Sequence, residues 1–179
     1  MRPEVERVLL TADQIAARVR ELGEEISGDF RDRDLLVVGI LKGSVIFVAD
    51  LLRSLKIPVF LDFVAVSSYG ASTTSSGVVR FLKDLDESIE GRNVLVVDDV
   101  IDTGLTLRYL LDNLSRRQPA ELKLCVLLDK PSRRKVEVPV HYRGFTIPDA
   151  FVAGYGLDCG GYFRNLPDVW VVRKERTEA

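Results

Sequence analysis

The sequence predicts an α/β fold, with a mostly parallel, twisted sheet flanked by helices. Continuous apolar runs, such as residues 35–40, are typical of strands that are covered on both faces. Stretches with apolar residues at helical spacing alternate with these runs, and such alternation builds βαβ units and a parallel sheet. The chain has 179 residues and shows neither a repeat nor an obvious linker. We therefore expect one domain over residues 1–179.

The first half of the chain contains two predicted helices and two predicted strands. Thr11 and Gln14 form a capping-box pattern ahead of residues 15–26, where apolar side chains recur at helical spacing. This pattern predicts a helix that begins near Thr11. The elements predicted after it are a strand at residues 35–40, a helix at 44–55 and a strand at 59–66.

The second half begins after a polar stretch of small residues, 67–77, whose composition predicts a loop. The alternation of strands and helices then resumes. The predicted elements are a strand at residues 93–97, a helix at 105–114, a strand at 122–128, a basic turn at 131–135, a turn at Pro148, a short strand at 151–153 and a last strand near 170–172. We expect the run of four polar and basic residues at 132–135 to be a solvated turn.

Three carboxylates follow the strand predicted at residues 93–97. Asp98, Asp99 and Asp102 lie so close together in sequence that they repel one another, and a folded protein must supply a cation or hydroxyl donors to offset this. Ligands of open parallel sheets bind beyond the carboxyl ends of the strands. The position of these acids is therefore the first indication of a functional site.

The residues after the acids, Thr103-Gly104-Leu105-Thr106, begin the predicted helix. Free amide groups and the helix dipole favour an anion there, two hydroxyl groups can donate, and Gly104 allows the main chain to approach a ligand. A ribose phosphate, with hydroxyls at one end and phosphate at the other, suits both features. The alternative is a plain helix cap, because Asp and Thr commonly begin helices, but a cap needs one acid rather than three.

The segment VLVVDDVIDTGLTL, residues 94–107, resembles the phosphoribosyl diphosphate (PRPP) binding signature of type I phosphoribosyltransferases. The resemblance is closest to the hypoxanthine-guanine branch. It implies the fold of that family, with a small hood built from the N-terminal segment and residues 145–170. The other matching segments are Leu41-Lys42-Gly43-Ser44, Ser68-Tyr69, and residues 127–130, 147–149, 151–152, 154–155, 157–158 and 162–164.

The resemblance implies a purine salvage reaction in which PRPP and hypoxanthine, or guanine, give a nucleoside 5′-monophosphate and pyrophosphate. Asp102 matches the general base that accepts the N7 proton. Asp98 and Asp99 match the acids that hold the ribose hydroxyls and Mg²⁺, and Asp158 matches a further magnesium ligand. The family usually has Glu at the first of these positions, so Asp98 is one methylene shorter than its counterpart.

The same resemblance assigns the phosphate contacts. The 5′-phosphate cradle matches Thr103, Gly104, Leu105 and Thr106. The pyrophosphate loop matches Lys42 and Gly43, and in the family the peptide before this lysine is often cis. Arg164 matches a further pyrophosphate contact, for which the forked guanidinium group is well suited.

The purine contacts are assigned in the same way. Lys130 matches the lysine that donates to the 6-oxygen, Phe151 stacks on the base, and Val152 reads its edge through main-chain groups. Val100 matches the apolar residue on the opposite face of the base. The matching catalytic loop is mobile in the family, and it begins with Ser68 and Tyr69; its closure would exclude water. Without the resemblance, Lys130 would be taken as an exposed side chain and Phe151 as a core residue. For Lys42, a solvated side chain at a strand end is the alternative.

Composition narrows the partners and the compartment. The formal net charge of −2, from 25 basic and 27 acidic residues, does not favour nucleic acid. We expect neither a signal peptide nor a membrane span, and the two cysteines, Cys125 and Cys159, fit a reduced cytoplasm. The only histidine, His141, is expected to be structural, which excludes histidine-based metal clusters.

Two other functions stay open. One is a PRPP-binding regulator of the same fold that binds nucleic acid; the match at Asp102 and Lys130 favours an enzyme instead. The other is a phosphoribosyltransferase that prefers xanthine. The resemblance further implies a homodimer or homotetramer.

Overall fold

The computed structural model describes residues 4–68 and 79–173. No helix in these two stretches is long and apolar enough to cross a membrane. The elements in chain order are β1 (Val5–Leu10), α1 (Ala12–Asp29), β2 (Leu35–Leu41), α2 (Val45–Ser54), β3 (Val59–Ser68), β4 (Val79–Lys83), β5 (Asn93–Ile101), α3 (Leu105–Ser115), β6 (Glu121–Asp129), β7 (Tyr142–Thr146), β8 (Val152–Ala153) and β9 (Val169–Val172), with a 3₁₀ turn at Pro131–Arg133.

The larger sheet has the strand order β4-β3-β2-β5-β6-β7. All neighbours in it are parallel except β4, which pairs with β3 in the antiparallel sense at one edge. The predicted fold class is thus confirmed. The chain runs from β2 outward to β3 and later returns to place β5 on the other side of β2. This reversal creates a crevice at the carboxyl ends of β2 and β5, where parallel sheets bind ligands.

Two apolar clusters cover the two faces of this sheet. The first contains side chains of α1 and α2 and, from β5, Leu95 and Val97. The second contains side chains of α3 and, from the same strand, Val94 and Val96. All four of these strand residues are fully buried, which explains why the run is apolar without alternation. Burial of each such side chain stabilises the fold by about 1.5–3 kcal/mol.

The predicted helix start at Thr11 is confirmed. The Thr11 hydroxyl accepts a hydrogen bond from the Gln14 amide at 3.3 Å, and the Gln14 side chain accepts one from the Thr11 amide at 2.9 Å. Two amides that the helix itself leaves unpaired are thereby satisfied. The apolar residues at helical spacing, from Ile15 to Ile26, form the buried face of α1.

Strand β5 is longer than the sequence predicts. Its ladder with β6 continues to the pair Ile101–Asp129, so Asp98 and Asp99 lie inside the strand and only Asp102 lies beyond its end. The expectation that all three acids follow the strand is wrong. The apolar run ends at Val97 because the strand there reaches the crevice and its side chains are no longer covered. The ladder continues past this point because its hydrogen bonds are made by the main chain.

A second, smaller sheet has the order β1-β9-β8 and joins the beginning of the chain to residues 152–172. Its strands are antiparallel, and Val5 pairs with Val172. The strands β1, β4 and β7 are absent from the sequence prediction. Each is short and carries charged side chains, as β1 does with Glu6 and Arg7. The sequence therefore has no apolar run that would predict these strands.

Asp62 on β3 provides a test of how pH acts on stability. Burial alone would raise the pKa of its carboxyl group, but the amides of Asp86 and Phe63, at 2.8 and 2.6 Å, and the Lys83 ammonium, at 3.1 Å, outweigh burial and lower the pKa. A carboxyl group with a lowered pKa stabilises the folded state above its unfolded pKa. This stabilisation is lost as the pH falls through the folded pKa.

We therefore expect Asp62→Asn to lower the free energy of unfolding by about 1–3 kcal/mol near neutral pH, the usual range for a hydrogen-bonded charge. The deficit should shrink at acid pH, once the pH falls below the ordinary aspartate pKa of 3.8, because the stabilisation from the lowered pKa is lost there. Urea denaturation at both pH values measures it. Asp112→Asn, at a half-exposed ion pair with Arg108, is the control and should change little at either pH. A deficit for Asp62→Asn that is equal at both pH values would contradict the assignment.

Candidate active site

The crevice between β2 and β5 begins with the turn after β2. The peptide bond between Leu41 and Lys42 is cis, the Lys42 side chain is exposed, and Gly43 follows it. Ser44 is completely buried, and its hydroxyl donates to the Ile40 carbonyl at 2.6 Å. This internal hydrogen bond fixes the turn, so that the main chain near Gly43 faces the acids of β5.

Asp98 and Asp99 form a half-buried acid pair at the carboxyl end of β5. Asp98 accepts a hydrogen bond from the Asp99 amide at 3.0 Å, and Asp99 accepts one from the Val100 amide at 2.9 Å. Burial raises the pKa of both carboxyl groups, and the neighbouring charge of Asp99 raises the pKa of Asp98 further. Such a pair is costly unless a cation or hydroxyl donors approach it, so the place suits a metal ion and a sugar.

Gly43 touches this acid pair directly. A Cβ atom built on Gly43 would lie 2.7 Å from the carboxyl carbon of Asp99 and closer still to one of its oxygens. Only a residue without a side chain fits in this gap. The structure thus brings together two predicted binding residues, Gly43 in the turn after β2 and Asp99 on the neighbouring strand β5.

The predicted phosphate cradle starts at Gly104, which precedes α3 and has a φ of +82°, a conformation that residues other than glycine rarely adopt. The first amides of α3 have no carbonyl partner within the helix and are available to an anion. Thr103 binds the Leu105 amide only at 3.4 Å. A cleft of about 120 Å³ is lined by Asp98, Val100, Ile101, Asp102, Thr103, Gly104, Thr106 and Leu107.

A larger groove, of about 870 Å³, lies elsewhere, at the amino ends of β2 and β3. Its lining mixes acids and bases, among them Glu24, Arg31 and Lys56. None of the predicted site residues lines it. The small cleft beside the acids is the better candidate site, because it has the position expected for a parallel sheet and the free helix amides.

Asp102 and Lys130 meet across the ends of β5 and β6. The Lys130 Nζ lies 3.2 Å from the Asp102 Oδ1, the Lys130 side chain is 7% exposed and the Asp102 side chain is 43% exposed. Asp102 Oδ1 is itself buried and accepts no hydrogen bond from the residues that the structure describes. The exposure of Asp102 therefore comes from other atoms of its side chain. A donor, Lys130, thus lies beside an acceptor, Asp102, which lines the cleft.

The smaller sheet contributes Phe151 and Val152. Val152 is buried in β8, whereas Phe151, just before it, is 44% exposed and its carbonyl accepts from the Val172 amide at 2.8 Å. An exposed aromatic ring on a hydrogen-bonded main chain is a suitable platform for a planar ligand. Val100 is partly buried against the first cluster.

Asp158 and Arg164 bind each other. Arg164 Nη2 lies 2.5 Å from Asp158 Oδ1, while Asp158 Oδ2 accepts from the Gly161 amide and Arg164 Nη1 donates to the Gly156 carbonyl, both at 2.7 Å. Within residues 4–68 and 79–173, no three or more His, Cys, Asp or Glu side chains are arranged to hold a metal ion. Asp158 is therefore not clustered with Asp98 and Asp99, and its role as a ligand stays a prediction.

The predicted catalytic loop lies mostly outside the described residues, 4–68 and 79–173. Ser68 ends β3, but its side chain and Tyr69 are not among the described parts of the chain. Their roles stay predictions. His141 is structural as expected, since its Nδ1 accepts from the Leu124 amide at 3.1 Å. Both cysteines are free.

The basic run at 132–135 is not a solvated turn throughout. The Arg134 side chain is 20% exposed and lies 2.5 Å from Asp129 and 3.1 Å from the Asp102 carbonyl oxygen. The Lys135 amide donates to the Thr103 carbonyl at 2.9 Å. A sequence signal existed: Asp129 ends a buried apolar strand, and a buried acid requires a cation nearby.

Comparison with known proteins adds to this geometry. A model of the phosphoribosyl transferase domain family matches residues 8–159. A hypoxanthine-guanine phosphoribosyltransferase of Mycobacterium avium is 54% identical over 169 residues, which are 91% of this chain and 83% of that protein. The protein of the same name from Bacillus subtilis is 45% identical over 173 residues, 97% of this chain and 96% of that one.

Solved structures that resemble this fold come from proteins of the same kind. The crystal structure of a hypoxanthine-guanine phosphoribosyltransferase from Bacillus anthracis is 46% identical and superposes with a TM-score of 0.91, over 95% of this chain and all of that one. A hypoxanthine phosphoribosyltransferase from Staphylococcus aureus is 40% identical, with a TM-score of 0.93 over 98% of this chain and 95% of that one.

Proposed function

The chain belongs to the family of phosphoribosyl transferase domains, and on this basis we propose that it transfers the 5-phosphoribosyl group of PRPP to N9 of hypoxanthine or guanine in purine salvage. The products are a nucleoside 5′-monophosphate and pyrophosphate. The observation that carries the choice of acceptor is the position of Lys130 Nζ, 3.2 Å from Asp102 Oδ1.

This pair complements one edge of a 6-oxopurine. Such a base carries a hydrogen-bond acceptor, O6, next to a donor, the protonated N7. Lys130 can only donate, and the Asp102 carboxylate can only accept, so each atom of the edge meets its complement. Adenine has an amino group at the same position, and two donors would face each other. The two side chains therefore favour hypoxanthine and guanine.

The proposed reaction breaks the bond between C1′ and the pyrophosphate oxygen and forms a bond from N9 to C1′. Positive charge develops on the ribose, as in other glycosyl transfers. Asp98 and Asp99 would stabilise this charge and accept hydrogen bonds from the ribose hydroxyls. Asp102 accepts the proton of N7 as N9 attacks. The electron pair of the broken bond leaves with pyrophosphate.

We propose Mg²⁺ as the cation of the acid pair. The raised pKa values of Asp98 and Asp99 support it, since a cation offsets the cost of two adjacent half-buried carboxylates. When bound, the ion neutralises charge on the pyrophosphate. Asp158 would join as a further ligand only after it separates from Arg164.

The other roles are proposed from the resemblance and from position. The 5′-phosphate would bind the amides and hydroxyls of residues 103–106, and the pyrophosphate would bind Lys42, Gly43 and Arg164. Phe151 and Val100 would enclose the base, with Val152 at its edge and the smaller sheet as the hood. Ser68 and Tyr69 would start the loop that closes over the site.

Exposed apolar side chains and the two cysteines bear on assembly and compartment. We propose a homodimer or homotetramer that acts in the cytoplasm. Exposed apolar side chains on β3 and β4, namely Phe60 at 54% and Leu82 at 67%, support an association surface. The free thiols of Cys125 and Cys159 suit a reducing compartment. Sedimentation equilibrium tests the assembly.

A panel of bases with PRPP and Mg²⁺ tests the proposed function. We expect nucleotide from hypoxanthine and guanine, and a value of kcat/KM for adenine lower by at least about 10²-fold, because the adenine amino group would face the Lys130 donor. Absorbance and chromatography of the nucleotide measure it. A xanthine preference, or no nucleotide from any base, would overturn the proposal; the second result would favour a PRPP-binding regulator.

The same panel with Lys130→Met tests the observation behind the choice of base. Methionine keeps the length of the stem but cannot donate. The preference for hypoxanthine over adenine should narrow by about 10-fold, roughly one hydrogen bond to a charged group. An unchanged preference in a folded variant would remove Lys130 from base recognition.

A further inference from the structure

Asp129 is a buried acid next to the proposed base-recognition lysine. It ends β6, directly before Lys130, and its side chain is only 2% exposed. Its two oxygens bind two arginines: Oδ1 lies 2.5 Å from Arg134 Nη2, and Oδ2 lies 2.7 Å from Arg143 Nε. A carboxylate that is so deeply buried needs cationic partners.

Arg134 differs from Arg143 in what else it touches. Its Nε donates to the main-chain carbonyl of Asp102 at 3.1 Å. Its stem packs on the phosphate loop, since a Cβ built on Gly104 would lie 3.0 Å from Arg134 Cδ. Arg143 extends outward instead, with a side chain that is 50% exposed. Arg134 therefore links the buried acid to the loop that carries the proposed general base.

The neighbouring main chain strengthens this link. The amide of Lys135 donates to the Thr103 carbonyl at 2.9 Å, and the amide of Lys130 donates to the Ile101 carbonyl at 3.1 Å. The residues on both sides of Asp102 are thus held by the segment after β6. The Asp102 carbonyl itself accepts from a side chain, that of Arg134, so Arg134 adds a direct hydrogen bond at the peptide of the proposed general base.

We propose that Arg134 is a positioning residue for catalysis, which holds the peptide of Asp102 so that its carboxylate stands beside Lys130. Asp129 fixes the guanidinium group in the required orientation. In this role Arg134 would act through Asp102 and would touch neither the base nor the reacting atoms. A shift of the general base by about 1 Å is enough to slow a reaction strongly, so the loss of this hold should appear in turnover. The proposal rests on the proposed function of Asp102.

Arg134→Met tests it, with Arg133→Met as the matched control. We expect kcat to fall about 10-fold with little change in the KM for PRPP, because the main-chain phosphate contacts remain. Arg133 is next in the chain, but its side chain is 48% exposed and its acid partner, Asp149, is 3.7 Å away, so its variant should keep full activity. Equal losses in the two variants, or a rise in KM with kcat unchanged, would overturn the proposal.

A double-mutant cycle separates positioning from general stability. In an Asp102→Asn background, Arg134→Met should cost less than about 2-fold in kcat, because there is no general base left to position. A further 10-fold loss there would show an effect unrelated to Asp102 and would overturn the proposal. Addition of guanidinium to Arg134→Ala should restore part of kcat, whereas no recovery in a variant with native circular dichroism would count against it.

Failure of the proposed function would look different. In that case the wild-type chain itself would make no nucleotide from hypoxanthine or guanine. An active wild type with an unaffected Arg134→Met variant would contradict only the role of Arg134. Asp129→Asn tests separately whether Asp129 orients Arg134, since asparagine keeps the shape of the acid but not its charge. It should lower kcat in the same direction, and unchanged kcat would overturn the part assigned to Asp129.

Discussion

An Asp102→Asn enzyme is expected to bind PRPP as the wild type does and to turn over about 10²–10⁴-fold more slowly, the range for loss of a general base. Asparagine has nearly the same shape, so the phosphate loop that follows it should be preserved. Its amide cannot accept the N7 proton, and its side chain no longer offsets the charge of Lys130, which lies 3.2 Å away. Turnover should therefore fall without a matching loss of PRPP affinity.

Two measurements check this result. Steady-state rates with hypoxanthine give kcat, and isothermal titration with PRPP and Mg²⁺ gives the affinity. Asp112→Asn, on the exposed side of α3, is the matched control and should be fully active. Full activity of Asp102→Asn would remove the general base assignment, and a loss of PRPP binding equal to the loss of kcat would make Asp102 a binding residue instead.

A Gly43→Ala enzyme is expected to lose about 10²-fold in kcat/KM. A displacement of about 1 Å in an active site is enough to cause a loss of this size. The added methyl group would lie 2.7 Å from the Asp99 carboxyl carbon, so either the acid or the turn after β2 must move. Both are proposed to hold the diphosphate and its cation. The KM for PRPP should rise, because the damage falls on the part of the site that binds it.

The matched control is Gly28→Ala, the same change at an exposed position in α1. No atom lies within 4 Å of a Cβ built there, and alanine is the better helix former, so activity should be unchanged and stability equal or slightly higher. Normal activity of Gly43→Ala would show that the turn can open without cost. It would also remove Gly43 from the proposed site.

The fold class and the phosphate loop could be predicted because they rest on local patterns. Strand β2 is buried on both faces and therefore reads as a continuous apolar run, and Gly104 marks a conformation that few residues adopt. Strands such as β1 and β7 could not be found in this way. They carry charged side chains, and they form because distant strands offer free main-chain groups.

In the candidate site too, some features follow from a local sequence pattern and others do not. Asp102 and its neighbours are named by a contiguous motif. Two contacts join segments that are far apart in the chain, and no local pattern encodes them. They are the contact of Gly43 with Asp99 and the hydrogen bond from Arg134 to the Asp102 carbonyl. The pairing of Asp158 with Arg164 was likewise hidden, since sequence gives each residue a role but not the partner that it has before substrate arrives.

The smaller sheet, in which Val5 pairs with Val172, sets the order in which the molecule can assemble during synthesis. The parallel sheet uses contacts between segments that are adjacent or nearly so, and it can form as the chain emerges. Among the described strands, the pairing of β1 with β9 closes the longest loop and must await β9, at the highest entropic cost. A nascent chain would therefore acquire its phosphate loop first and complete the aromatic platform at Phe151 last. Native-state hydrogen exchange should find the β1–β9 amides among the first to open.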